Sequence, residues 1–265
     1  MSRTAYLFPG QGSQFVGMGR DLADRFDEAA RVFEAADAAL GFSLSSLMFG
    51  ADEDAQAAAE KLKQTEVTQP ALFVHGMAVL EVLDQHGFAP DVTAGHSLGE
   101  YTALAAARAI SFDQGLRLVR LRGELMSRAG HERPGVMAAI LGIDDDVVVR
   151  ICEEVSSAGN GVAAAANFNA PGQVVISGDP AAVEAASEQL RAAGARRTVP
   201  LPVSGAFHST LMEKARGDLA EALGRLEIVA PRCPVYLNVT ARPTTDPEEI
   251  RERLLQQLTS PVRWS

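Results

Sequence analysis

The sequence predicts a mixed α/β protein: a parallel sheet flanked by helices, with a second compact unit of β-α-β-β-α-β order. Three observations predict it. Short apolar runs such as "TAYLF" (4–8) and "DVTAG" (91–95) alternate with long stretches of helical periodicity, and a parallel strand pair needs such a crossover. The texture changes at about residue 134, where strands and helices follow one another closely through roughly 65 residues. The chain has 265 residues, enough for one large domain carrying a smaller insert.

Taken in order, "TAYLF" reads as a short buried strand stopped by the proline and glycines of "PGQGSQ". "DLADRFDEAARVFEAADAAL" has the apolar spacing of a helix. Residues 70–87, "PALFVHGMAVLEVLDQHG", open on proline and close at glycine, the usual asymmetry of a helix. "DVTAG" is a strand and "SLGEYTALAAARAI" a helix; "SFDQGLRLVRLRGELMSRAG" is another, with Ser111 as N-cap and Gly130 just past its end. Then come strand "GVMAAILG", helix "DDDVVVRICEEVSSAG", strands "VAAAANFN" and "QVVISG", helix "DPAAVEAASEQLRAAG" and strand "ARRTVPL". That order is the ferredoxin-like pattern. A loop into a helix, "SGAFHSTLMEKARGDLAEAL", and a strand, "CPVYLNVT", follow. The expected division is 1–133 as the first part of a large domain, 134–199 as the ferredoxin-like subdomain, and 200–265 as the second part of the large domain.

Composition narrows the function. Hydrophobic residues make up 47% and charged residues 22%, an ordinary globular balance. The formal charge of −10 argues against nonspecific nucleic-acid binding, which needs a basic field. No apolar run approaches the roughly 20 residues that span a bilayer, and the N-terminal apolar stretch is too short for a signal peptide. A cytoplasmic protein with neither membrane nor nucleic-acid partner is the expectation. Cys152 and Cys233 cannot build a disulfide framework and lack metal-ligand spacing, so no metal is expected. An anionic substrate would need a local basic site, and arginines cluster at Arg117, Arg120, Arg122 and Arg128 and again at Arg191, Arg196 and Arg197.

Gly95-His96-Ser97-Leu98-Gly99 matches G-x-S-x-G between a strand and a helix. A sharp strand-to-helix reversal needs glycines on both sides and leaves the serine hydroxyl exposed. The Leu98 amide then stands at a helix N-terminus, where it can donate to an oxyanion. The alternative for Ser97 is a plain helix N-cap. A serine nucleophile needs a base, and five histidines are candidates: His75, His86, His96, His131 and His208. His96 adjoins Ser97, but neighbours in a tight elbow point apart. His75 reads as a packed core residue; His86 and His131 sit at helix ends. His208 lies at a loop-to-helix junction beyond a strand, where α/β proteins place their sites. At about 100° per residue, Arg122 falls on the apolar arc of Leu116, Leu118, Val119, Leu125 and Met126, whereas Arg117 and Arg120 fall outside it. A buried arginine must be paired, either with a protein carboxylate or with a carboxylate on a ligand. Gln11, in "FPGQGSQ", is either a turn residue or a contributor to an oxyanion site.

Seven segments resemble a known family. They are "FPGQGSQ" (8–14), "TQPALF" (68–73), "GHSLGEY" (95–101), "RLRGELM" (120–126), "NFNAPGQVVISG" (167–178), "GAFHSTLM" (205–212) and "SPVRW" (260–264). Their order and spread over nearly the whole chain resemble the malonyl-CoA:acyl-carrier-protein transacylases and the acyltransferase domains of polyketide synthases. The resemblance implies an α/β-hydrolase-like large domain with a ferredoxin-like insert. It implies that Ser97 carries the malonyl group and His208 is the base, oriented by the backbone carbonyl of Gln257 instead of an acidic third residue. It further implies Arg122 as the partner of the malonyl carboxylate, Gln11 and Leu98 as oxyanion-hole amides, and Phe207 as a ring that leaves little room for branched acyl groups. The expected reaction moves malonyl from malonyl-CoA to the phosphopantetheine thiol of an acyl carrier protein in fatty-acid biosynthesis, by a monomer with no cofactor. Relatives of this kind continue past "SPVRW", so residues 200–265 are expected to form a shortened second part. A serine esterase or thioesterase, or an inactive domain that only binds carrier protein, are the alternatives.

Overall fold

The computed structural model describes residues 3–50, 54–159, 161–203 and 205–265. The chain opens with β1 (Ala5–Phe8), then α1 (Arg20–Arg25), α2 (Asp27–Leu40), α3 (Leu44–Phe49), α4 (Ala55–Leu62) and α5 (Thr65–Gln85). β2 (Val92–Gly95), α6 (Gly99–Ala106) and α7 (Phe112–Glu132) follow. Next are β3 (Val136–Leu141), α8 (Asp145–Ser157), β4 (Ala163–Ala170), β5 (Gln173–Gly178), α9 (Pro180–Ala192) and β6 (Arg197–Pro200). A 3-10 turn (Thr210–Met212) leads into α10 (Glu213–Arg225), and β7 (Val235–Leu237), β8 (Arg242–Thr244), α11 (Pro247–Gln257) and β9 (Val262–Arg263) end the chain.

The chain divides into two compact units. The first comprises Met1–Glu124, Arg225–Leu237 and Arg242–Arg251. Its sheet has the order β1-β2-β7-β8, with β1, β2 and β7 parallel and β8 antiparallel to β7. All eight residues of α6 are buried, and its alanines let it lie close on β1 and β2. The second unit comprises Leu125–Gly224, Asn238–Ala241 and Glu252–Ser265. Its five-stranded sheet runs β6-β3-β5-β4-β9, antiparallel except for the β4–β9 pair. Ile140, Val174 and Ile176 from this sheet bury against Val148 and Ile151 of α8 and Val183 and Leu190 of α9. Mixed α/β architecture with a parallel sheet is therefore what the sequence predicts and what the chain adopts.

The elements differ from the sequence reading in instructive places. The helix expected over 21–40 is two helices, because Phe26 takes an extended conformation (φ −133°, ψ 112°) that closes α1 and starts α2. The helix expected to begin at Pro70 begins at Thr65 and runs through the proline. Pro70 has no N–H for the carbonyl of Glu66 four residues earlier, but Arg120 Nη1 donates to that carbonyl at 3.0 Å. Ser111 does cap α7, in a reciprocal box: Gln114 N–H donates to Ser111 Oγ (3.2 Å) and Ser111 N–H to Gln114 Oε1 (2.8 Å). Gly130 does not end α7, which continues to Glu132. The short helices α3 and α4 fall below the length at which periodicity is readable, and α11, with 11 residues, only just reaches it.

Candidate active site

The elbow at Ser97 is a consequence of two missing side chains. β2 ends at Gly95, and the next backbone amide, His96 N–H, donates to Phe8 O of β1 at 2.9 Å. Ser97 then adopts a left-handed backbone, φ 51°, which costs a non-glycine residue about 1–2 kcal/mol. A Cβ on Gly95 would fall inside the backbone carbonyl of Gly99, and one on Gly99 inside the carbonyl of Phe8. Only glycine at both places lets the strand turn back this tightly into α6. The Gly99, Glu100 and Tyr101 amides donate to the carbonyls of His96, Ser97 and Leu98 at 2.9, 3.1 and 3.0 Å. The Leu98 amide stands just ahead of these three at the start of α6. Ser97 does not serve as the cap: the N-cap position is Leu98, with no side-chain cap bond.

The Ser97 hydroxyl has a charged partner instead. Arg122, on α7, is 1% exposed. Its Nη2 donates to Ser97 Oγ at 3.1 Å and its Nη1 to Gln69 Oε1 at 2.8 Å. The guanidinium lies 5.4 Å from the centre of the Tyr101 ring. Burial pushes its pKa down, and the neighbouring Tyr101 and Glu100 push it back up. Guanidinium stays protonated under any of these influences. Burial likewise pushes the Tyr101 hydroxyl up to about 12, with Arg122 working against the shift. The arrangement is a buried cationic fork held beside a serine hydroxyl, with Glu100 supplying part of the counter-charge. The helical wheel anticipated the burial of Arg122 and the exposure of Arg117; Arg120, which it also placed on the solvent side, is half-buried because it reaches the Glu66 carbonyl.

Gln11 sits in the turn after β1, and its Nε2 donates to Thr65 Oγ1 at 3.2 Å, tying the loop to the start of α5. His96 packs its imidazole against Gly10, where an added Cβ would lie 2.9 Å from Nδ1. Burial lowers the pKa of His75, with Asp21 opposing the shift. His86 and His131 each place Nδ1 2.8 Å from a carbonyl of their own helix, Val82 and Ser127. Four of the five histidines thus have ordinary structural settings.

His208 is different. It lies in the second unit, 4% exposed, with a left-handed backbone of φ 58°. Its Nδ1 donates to the Gln257 carbonyl at 2.8 Å, and Gln257 is itself 1% exposed. With Nδ1 carrying the proton, Nε2 keeps its lone pair and can accept one. Ser209 Oγ donates to Ala206 O (2.6 Å) and accepts from Leu211 N–H (3.3 Å), which pins the loop on both sides of the imidazole. Phe207 is buried next to it. The structure therefore gathers Ser97, Leu98 and Arg122 in the first unit and Phe207, His208 and Gln257 in the second.

Cys152 and Cys233 are not candidates for nucleophile: burial raises both thiols, Cys152 to about 12. Among the described residues no group of three or more His, Cys, Asp or Glu could hold a metal ion. Among them, too, no helix is long and apolar enough to cross a membrane. Sequence reasoning missed Gln69, Tyr101 and Glu100 around Arg122. The signals for Gln69 were its place in "TQPALF" and a polar amide inside a mostly apolar run, residues 68–74.

The family described as "Acyl transferase domain" matches residues 5–265. The chain is 47% identical over 264 residues to the malonyl CoA-acyl carrier protein transacylase of Bacillus subtilis, covering 100% of this chain and 81% of that protein. It is 44% identical over 266 residues to the Escherichia coli K12 protein of the same name, covering 100% of this chain and 84% of that one. Among solved structures, an acyl carrier protein S-malonyltransferase from Vibrio cholerae is similar with a TM-score of 0.91 at 44% identity, over 99% of this chain and 84% of that one. A malonyl-transacylase solved in complex with a type II polyketide synthase acyl-carrier protein is similar with a TM-score of 0.92 at 43% identity, over 99% and 83%.

Proposed function

Because this chain belongs to the acyl transferase domain family, we propose that Ser97 carries a malonyl group from coenzyme A to the phosphopantetheine thiol of an acyl carrier protein. It is an acyltransferase and its substrate is malonyl-CoA. The observation that carries the site reading is the bond from Arg122 to Ser97 Oγ with Gln69 bracing the other arm of the fork. A guanidinium binds a carboxylate through two parallel N–H···O bonds. A fork next to the nucleophile therefore selects an acyl group that carries its own carboxylate a short distance from the thioester.

In the proposed mechanism His208 Nε2 takes the Ser97 proton as Oγ attacks the thioester carbonyl. The amides of Leu98 and Gln11 hold the tetrahedral oxyanion, each worth about 3 kcal/mol in sites of this kind. The carbon–sulfur bond breaks, the coenzyme A thiolate leaves with the proton from His208, and malonyl-Ser97 remains. The carrier thiol then gives its proton to His208, attacks the ester carbonyl, and Ser97 leaves protonated. The Gln257 carbonyl keeps His208 in the tautomer this needs and stabilises the imidazolium. Phe207 narrows the acyl site. No cofactor or metal enters any step.

Carrier proteins are typically acidic, and this chain has a formal charge of −10, so docking calls for a local basic patch: Arg191, Arg196 and Arg197, or Lys214 and Arg216. Residues 134–199 form the ferredoxin-like insertion of a large domain made of 1–133 and 200–265, on the strength of their β-α-β-β-α-β order and shared core. The protein acts as a cytoplasmic monomer in fatty-acid synthesis.

The test is the intact mass of the protein after mixing with malonyl-CoA, then with holo carrier protein. A malonyl adduct that maps to Ser97 and then passes to the carrier thiol is the expected result. No adduct would leave a carrier-binding domain, and an adduct lost to water without an acceptor would leave an esterase. Arg122→Ala should weaken malonyl transfer and relatively favour acetyl, by about 10²-fold in the ratio, since a charge-assisted hydrogen-bond pair is worth about 3 kcal/mol. An unchanged malonyl-to-acetyl ratio would refute the clamp.

A further inference from the structure

Three hydrogen bonds, one from the turn after β1 and two from α7, converge on the first turn and a half of α5, the segment "TEVTQP". Thr65 Oγ1 accepts from Gln11 Nε2 at 3.2 Å. The Glu66 carbonyl accepts from Arg120 Nη1 at 3.0 Å. Gln69 Oε1 accepts from Arg122 Nη1 at 2.8 Å. Helix α7 comes close enough to make the last two because Gly123 faces this turn: a Cβ there would stand 2.8 Å from Glu66 Cα and 2.9 Å from Thr65 O. Pro70, four residues on, has no N–H to offer the Glu66 carbonyl, which leaves Arg120 Nη1 to supply the donor that the helix does not.

We infer that this proline-interrupted turn is a positioning element with two separable outputs. Thr65 sets the oxyanion loop through Gln11, and Arg120, through the carbonyl that Pro70 frees, sets the register of α7 and so the aim of Arg122. Neither Thr65 nor Arg120 touches the reacting atoms. Arg120 has further anchors, an ion pair with Glu124 at 2.6 Å and the face of Phe42 at 5.4 Å. These hold the guanidinium itself, so its Nη1 meets the carbonyl with little further loss of rotamer freedom. Proline inside a helix is destabilising, in part because it leaves the carbonyl four residues earlier without its helical donor. Here the orphaned acceptor, which would otherwise be part of that cost, becomes an inter-helix bond one turn away from the clamp.

The inference rests on the functional reading above, and the experiment separates the two. Acylation of the full chain by malonyl-CoA and by acetyl-CoA is followed for wild type, Thr65→Val, Thr65→Ser and Arg120→Leu, with thermal unfolding of each. Thr65→Val should lower kcat for both acyl groups alike by about 5–10-fold, the loss of one hydrogen bond, and Thr65→Ser should restore it. Arg120→Leu should raise KM for malonyl-CoA by a similar factor, about 5–10-fold, lower the malonyl-to-acetyl ratio, and leave acetyl transfer unchanged. If Arg120→Leu does not fold, Pro70→Ala serves instead. Its restored N–H competes for the Glu66 carbonyl, so selectivity falls while the helix itself gains. Wild type that forms no malonyl adduct overturns the functional reading and this inference with it. Wild type that is acylated, with variants that change rate and selectivity together or neither, overturns the inference alone.

Discussion

Ser97→Ala is expected to abolish the covalent malonyl adduct and to lower transfer to carrier protein by at least about 10⁴-fold, the scale on which removal of a serine nucleophile acts. The comparison that gives this meaning is stability. Alanine at position 97 keeps a Cβ in the same left-handed backbone, φ 51°, so the elbow's strain is unchanged. Arg122 Nη2 loses one neutral acceptor but keeps Gln69 on its other arm. Loss of one hydrogen bond from a charged donor is worth about 1.5–3 kcal/mol, which leaves a folded protein whose thermal midpoint falls by a few degrees. A folded Ser97→Ala protein that still takes up malonyl would place the nucleophile elsewhere.

His208→Ala is the second large effect, with an expected fall in the acylation rate of about 10⁴-fold. The oxyanion amides and the Arg122 fork are untouched, so malonyl-CoA still binds and KM changes little. The acid limb of the pH–rate profile, which reports loss of the base to protonation, disappears with the imidazole. The physical basis is the tautomer. Nδ1–H is committed to the Gln257 carbonyl at 2.8 Å, so of the two ring nitrogens Nε2 is the one that keeps a lone pair for a proton. A variant that kept the wild-type rate and acid limb would show that another group is the base. His96, although adjacent to Ser97 in sequence, packs its ring against Gly10 and is not expected to substitute.

How much of this was legible beforehand follows the range of the physics involved. The elbow was readable because its cause is local: a backbone clash between residues four apart, relieved by Gly95 and Gly99. The burial of Arg122 was readable because it needs only the 3.6-residue period of α7. The α1–α2 break at Phe26 was not, since the apolar spacing continues on either side of one extended residue. The start of α5 was misplaced for a related reason. Proline ordinarily marks the first turn of a helix, and here the group that compensates for it, Arg120, lies 54 residues away.

The sequence by itself determined the α/β class, the strand–elbow–helix around Ser97 and the family, and through the family resemblance it put His208 forward as the base to be tested. Each depends on steric or periodic rules that act within a few residues, or on motifs whose order along the chain is itself the signal. Only the tertiary structure decided what Arg122 meets. Whether its fork faced a protein carboxylate, an amide or the serine depended on how closely α7 packs on α5 and α6. The partners it meets, Gln69 and Ser97, are 53 and 25 residues away. The same holds for Gln11 on Thr65, 54 residues apart, and His208 on the Gln257 carbonyl, 49 apart. Hydrogen bonds demand donor–acceptor distances near 3 Å, and only packed helices and strands place such distant residues with that accuracy.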